Sequence, residues 1–224
     1  VTIHYHGTPI TPRAELLGMA GAHFCVSFAR PDDLATVLRI GQSAMFDNGA
    51  YSTYRLGQKY EPMKFYEWLE PMLAAPHWAV IPDVIDGTVQ EQLDLARTWP
   101  FWQQLGAPVW HLAEPIEHLM RVADSSPRIC FGSSGAFWKI GSPAWCQRMD
   151  EAFNALYMRR RYPPWVHGLR MIGQVAGPWP LASVDSTNVA QNFKPGCANC
   201  KSRELDAWQA PSLWTPRATQ IGML

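Results

Sequence analysis

Ala44-Met45-Phe46-Asp47-Asn48-Gly49-Ala50-Tyr51-Ser52 begins as a short apolar run and breaks on Asp-Asn-Gly. A run of this length that stops at turn formers reads as a buried strand, here Ala44–Asn48, that delivers polar side chains at its carboxyl end. The same pattern recurs in both directions: Thr2–His6 and His23–Ala29 upstream, then Trp78–Asp83, Pro108–Leu112, Arg128–Ser133, Trp165–Arg170 and Leu181–Asp185 downstream, eight strands in all. Most segments between them read as helices. Thr11-Pro12 opens the first and Pro31-Asp32-Asp33 the second. Ser142-Pro143 supplies an N-cap and a first-turn proline for a later helix, on which Met149, Phe153 and Leu156 share one face. Gly173–Pro180 is the exception, too rich in Gly and Pro for a full helix. Strands alternating with helices imply a parallel sheet, and eight such units with no spare domain imply an α/β fold of one kind, a single (β/α)8 TIM barrel. A doubly wound open sheet is the competing architecture, but the sequence has neither the G-x-G-x-x-G nor the Walker A pattern that usually marks it.

Composition agrees with one domain. The 224 residues suffice for a single well-buried core, spanning 1–224 with 193–224 as a C-terminal extension that carries Cys197-Ala198-Asn199-Cys200. An apolar fraction of 47% with 17% charged residues is that of an ordinary globular chain. No apolar run approaches the roughly 20 residues that cross a bilayer, and Val1-Thr2-Ile3-His4 lacks the features of a signal peptide. The expectation is a cytoplasmic protein with no membrane partner. Five cysteines, with Cys25 and Cys130 inside apolar runs, fit a reducing compartment better than a disulfide framework. A formal charge of zero does not advertise a nucleic-acid binder, so any such contact must come from a local patch. The basic run Arg159-Arg160-Arg161 is one candidate for phosphate contacts, and cations placed at a helix C-terminus are the alternative reading.

In a barrel the active site is built by the loops after the strands, so the strand ends carry the functional information. Asp47, Asp83 and Asp185 end three different strands and would surround one mouth. There, like charges and partial burial can separate their pKa values into acid and base roles; helix caps or turns are the structural alternative. Asp86, in Asp86-Gly87-Thr88, reads more as a turn former. Gly132-Ser133-Ser134-Gly135 would let a ligand approach the backbone. His111 and His167 also sit at strand ends, beside apolar residues. His4 and His6 share a strand face, and with His111, His167 and Asp185 they compose an alternative, a metal-dependent hydrolase. Cys197 and Cys200 have zinc spacing but make only half a structural site.

Phe46-Asp47-Asn48-Gly49-Ala50-Tyr51-Ser52 resembles the Asp-Ser-Gly-Gly-Phe-Gln strand end of the tRNA-guanine transglycosylases. Later features follow in the family's order. Ile81-Pro82-Asp83 resembles its base-recognising aspartate, Phe131-Gly132-Ser133-Ser134-Gly135 its glycine-lined pocket, Val166-His167-Gly168-Leu169 its His-x-Leu strand, and Ser183-Val184-Asp185-Ser186 its nucleophile strand. The short chain, the His4-Tyr5-His6-Gly7-Thr8-Pro9 opening and the Val184-Asp185-Ser186-Thr187 strand look more like the related DNA 7-deazaguanine transglycosylases of phages and bacteria. Two departures stand out. Pro195 occupies the first cysteine position of the family's zinc pattern, and the glutamine usual on strand five is missing, with His111 the candidate substitute.

The resemblance implies a pentosyltransferase that replaces guanine in a nucleic acid, DNA with tRNA as the alternative, by a free 7-deazaguanine base. Asp185 would be the nucleophile, forming a covalent glycosyl-aspartate, and Asp47 the general acid and base. Asp83, Asn48, Gly132, Ser133, His111 and His167 would bind the base, and Arg159, Arg160, Arg161 and Arg170 the nucleic acid. No cofactor is required by this chemistry, and a structural zinc at Cys197 and Cys200 stays open. A barrel that binds a nucleobase without catalysis is a further alternative.

Overall fold

Side chains along a strand point alternately to the two faces of the sheet, so each barrel strand must divide its residues between an interior and a helix layer. The computed structural model, which describes residues 2–159 and 162–192, shows this division throughout. The strands are β1 (Ile3–Gly7), β2 (His23–Ser27), β3 (Ser43–Asp47), β4 (Trp78–Val80), β5 (Gly106–Ala107), β6 (Val109–His111), β7 (Arg128–Gly132), β8 (Trp165–Gly168) and β9 (Ser183–Ser186). All ladders are parallel, in the order β5-β4-β3-β2-β1-β9-β8-β7-β6. Helices α1 (Arg13–Gly18), α2 (Leu34–Ile40), α3 (Ala50–Arg55), α4 (Pro62–Leu69), α5 (Val89–Ala96), α6 (Ile116–Ser125), α7 (Pro143–Arg159) and α8 (Asn188–Asn192) are interleaved with them. The architecture is a nearly closed, TIM-barrel-like α/β fold.

Nine strands replace the expected eight because Pro108 divides the fifth stave. Proline has no N–H to give a ladder. Ala107 still accepts from Ile81 N–H (2.9 Å) on one side, and Pro108 C=O accepts from Cys130 N–H (2.8 Å) on the other. The two ends of the sheet order are therefore joined by one residue of chain instead of by a ladder. The stretch Gly173–Pro180 forms no α-helix, as its composition suggests; it holds only a short 3-10 turn, Ile172–Gln174. At the start of α7, Ser142 Oγ accepts from Trp145 N–H (3.3 Å), and Met149, Phe153 and Leu156 are buried along one face.

Most of the large apolar strand residues point outward. Phe24, Val26 and Phe46 pack under α1, α2 and α4, and Trp110, Leu112, Phe131 and Val166 pack under α6 and α7. His4 and His6 share this outward parity. His6 lies 6.2 Å from the Phe24 ring, and His4 Nε2 is 2.9 Å from Ser186 Oγ. The interior carries Tyr5, Cys25, Met45, Trp78, Val80, Val109 and Cys130. Burial pushes the Cys25 and Cys130 thiols well above their ordinary range, so they stay protonated and inert.

Polar groups in this interior satisfy one another. Trp78 Nε1–H donates to Tyr5 Oη (2.9 Å), Ser43 Oγ–H donates to the same oxygen (3.2 Å), and Ser43 Oγ is 2.7 Å from His23 Nδ1. Arg128 lies over the Trp78 ring, 4.7 Å from its centroid. Among the described residues, no helix is long and apolar enough to cross a membrane. Tyr5→Phe keeps the packing but strands the buried Trp78 donor, which costs about 1–3 kcal/mol. Urea unfolding should show a lower midpoint at an unchanged m-value, and an unshifted midpoint would contradict a load on the Tyr5 hydroxyl in the barrel interior.

Candidate active site

Ser27 and Asp47 end adjacent strands in register, which sets the first contact of the mouth. Ser27 Oγ–H donates to Asp47 Oδ2 (2.8 Å), and Gly49 N–H points to the same oxygen (3.3 Å). Gly49 has φ 72°, where a Cβ would be strained and would meet Ala29 N at 3.1 Å; this conformation turns the chain from β3 directly into α3. Burial raises the Asp47 pKa to about 6. The Ser27 hydrogen bond opposes that rise, and the charges of Asp185 and Asp83 add to it.

Asp83 follows β4, at the seam where the ladder is open. Its Oδ2 lies 2.9 Å from His111 Nε2 on β6, so this pair links two chain segments that no ladder joins among the described residues. Asn48 Nδ2–H donates to Asp83 Oδ1 (2.9 Å) and to Ile81 C=O (3.2 Å), while Asn48 Oδ1 accepts from Ala50 N–H (2.8 Å). Asn48 is thus both a turn former and a clamp on Asp83. Burial favours the neutral form of His111, but the hydrogen bond and charge of Asp83, with Glu114 and Asp86, outweigh it and raise the pKa. Behind the seam is a small cavity of about 90 Å³, bounded in part by Asp83, Gln92 and His118. Gln92 holds the backbone after Asp83 through both Val84 N–H (2.8 Å) and Val84 C=O (2.6 Å).

Asp185 lies opposite Tyr5 in the β1–β9 register and points inward. Its Oδ1 is 3.2 Å from His167 Nε2 and accepts Arg170 N–H (2.8 Å); among the described residues Oδ2 has no protein hydrogen bond. Arg170 has a left-handed backbone, φ 59°, and its guanidinium stands 4.6 Å from the Tyr51 ring centroid.

Gly132 lies directly beside His111, where a Cβ would come within 3.0 Å of Nδ1, so this glycine makes room for the histidine. Ser133 Oγ accepts from Trp145 Nε1–H (2.9 Å) and is turned toward α7, leaving its backbone nearer the mouth. Sequence reasoning missed Ser27 and Tyr60. Ser27 could have been found from its parity with Cys25. The Tyr60 hydroxyl is buried without a hydrogen bond among the described residues, and its pKa is raised by burial, then by Tyr66, Asp83 and Asp47. Nothing in its surrounding sequence marks it.

The structure brings Asp47, Asp83, Asp185, Asn48, His111, His167, Gly132 and Arg170 to one end of the barrel, and separates others. His4 and His6 lie on the outer face by strand parity, so they cannot join His111, His167 and Asp185 around one ion. Among the described residues, no group of three or more His, Cys, Asp or Glu side chains is arranged to hold a metal. Arg159 ends α7, which runs back to the start of β8, and is 3.7 Å from Asp124 near the end of α6. It therefore sits at the opposite end of the barrel from Arg170. Arg160, Arg161, Cys197 and Cys200 lie outside the described residues. Asp86, with φ 56° and its carboxylate accepting from Tyr54 O–H (3.0 Å), shapes the turn before α5 as its sequence suggested.

No family model matches the chain, and no curated protein or solved structure matches it in comparisons with known proteins.

Because the folded pKa of Asp47 exceeds its ordinary 3.8, the stability it contributes is complete below about 3.8 and is lost as pH rises through about 6. Asp47→Asn lacks this dependence. Its stability should gain on wild type between pH 4 and pH 7, measured by denaturant unfolding, and a pH-independent difference would contradict the raised pKa.

Proposed function

We propose that this mouth exchanges guanine in a nucleic acid for a free 7-deazaguanine base through a glycosyl-aspartate at Asp185. The observation that carries the reading is the division of labour among three neighbouring carboxylates. Asp185 has one oxygen anchored by two contacts and one without a protein partner among the described residues. Asp47, within electrostatic reach of it, has a pKa near 6, suited to giving and taking a proton near neutrality. Asp83 is held in place by an amide and a histidine, as a recognition group needs to be.

In the first step Asp185 Oδ2 attacks C1′ of the target nucleotide. The C1′–N9 bond breaks, its electron pair leaves with the guanine, and Asp47 supplies the proton that neutralises the departing base. In the second, Asp47 takes the N9 proton of the incoming 7-deazaguanine, N9 attacks C1′, and the C1′–O bond breaks to restore Asp185. The covalent intermediate keeps the sugar from water between the two steps.

Each Asp83 oxygen has one protein partner and a second acceptor position, enough to receive the ring N–H and exocyclic amine of a guanine-like base. His111 and Asn48 fix the orientation of that carboxylate, and the backbone at Gly132 and Ser133 lines the other edge. The target nucleotide must leave its stack to reach this depth. Arg170, exposed at the mouth, is the described cation best placed for its phosphate. The resemblance carried by His4-Tyr5-His6-Gly7-Thr8-Pro9 and Val184-Asp185-Ser186-Thr187 favours DNA over tRNA as the acceptor.

Labelled guanine offered to the full chain with DNA and with tRNA in parallel tests this. The expected result is incorporation into DNA, no incorporation of labelled adenine, and a loss on the order of 10³-fold or more in Asp185→Asn. Exchange at the wild-type rate by Asp185→Asn, or no exchange on either acceptor, would overturn it.

A further inference from the structure

We infer that His167 is a positioning residue for Asp185, through a Ser183-to-His167-to-Asp185 relay that selects the carboxylate oxygen presented to the sugar. It is not a contact for the incoming base. The rate consequence rests on the transglycosylase reading; the relay itself does not.

His167 has no exposed side-chain surface, whereas Asp185 retains 14%. Its ring is wedged edge-on against Trp78 (5.1 Å) and Tyr5 (6.0 Å), beneath the carboxylate and out of a ligand's reach. Nδ1 is 2.7 Å from Ser183 Oγ, and Nε2 is 3.2 Å from Asp185 Oδ1. Proton placement follows from the partners. An ionised carboxylate can only accept, so Nε2 carries a proton toward Oδ1; Nδ1 is then the acceptor, and the Ser183 hydroxyl donates to it.

Arg170 adds a second donor to Oδ1, its backbone N–H at 2.8 Å. A non-glycine residue at φ 59° is rarely adopted without surrounding support, and here that conformation turns the N–H onto the carboxylate. Both donors converge on one oxygen. Oδ2 keeps its lone pairs for C1′, and the side chain cannot rotate to exchange the two oxygens without breaking both contacts.

The test uses the full chain labelled with 15N-histidine. Two-bond correlations at pH 8 should show His167 protonated on Nε2 and accepting at Nδ1, with the Nδ1 signal moved by Ser183→Ala. Guanine release from a DNA duplex in a single turnover should slow by about 10- to 100-fold in His167→Leu, as expected for losing a hydrogen bond to a charged group. His167→Gln, which returns a donor near the Nε2 position, should recover most of that loss, and free-guanine affinity should change by less than about 2-fold in either variant. Protonation on Nδ1, a wild-type rate in His167→Leu, or guanine affinity falling in step with the rate would each overturn the assignment. If His167→Leu does not fold, His167→Gln and Ser183→Ala decide it. If wild type releases no guanine, the reaction reading fails, and the tautomer and its response to Ser183→Ala still decide the relay.

Discussion

Three carboxylates held at one end of a barrel repel one another, and the poorly polarisable interior beneath them strengthens that repulsion. Each is offset differently. Asp83 is paired with His111, whose pKa it raises, and Asp185 is anchored through His167 and the Arg170 N–H. Asp47 accepts from the Ser27 hydroxyl and the Gly49 N–H, and burial, with the charges of Asp185 and Asp83 adding to it, raises its pKa to about 6. Different partners thus give similar side chains three distinct environments, on which the proposed division of roles rests.

Strand parity supplies the positions. Ser27, Asp47, His111 and Gly132 share the inward parity of Cys25, Met45, Val109 and Cys130 below them, and Asp185 that of Tyr5 beside it, while the bulky aromatics at neighbouring positions face the helices. Pro108 interrupts this regular wall. By ending the ladder there it leaves a seam that side chains close, and Asp83 with His111 is the bond across it. The Asp83–His111 pair accordingly serves the closure of the barrel as well as the mouth, so its loss is expected to loosen both.

Much of this was legible in the sequence. Short apolar runs stopped by Gly, Pro, Asp or Ser located every stave, because parallel strands covered by helices must be apolar and their carboxyl ends must turn. The residue pattern also brought out the aspartates and both mouth histidines. What stayed hidden depends on direction in space. Facing strands alone do not reveal that His4 and His6 point outward, or that Arg159 ends a helix running away from the mouth. Pro108 was visible, but its effect on one ladder edge was not. Ser27 shares the parity of Cys25 but meets Asp47 only through register, and Tyr60, in the loop between α3 and α4, carries no local signature.

A covalent bond between Asp185 and a sugar is the step on which the proposed reaction most directly depends. Full-length protein incubated with a guanine-containing DNA duplex, quenched in acid, digested and analysed by mass spectrometry should yield a glycosyl adduct on the peptide containing Asp185. Adding a free 7-deazaguanine before the quench should discharge that adduct as the base enters the DNA. An adduct on another residue, or base exchange proceeding at full rate with no adduct at any time point, would contradict the assignment of Asp185 as nucleophile.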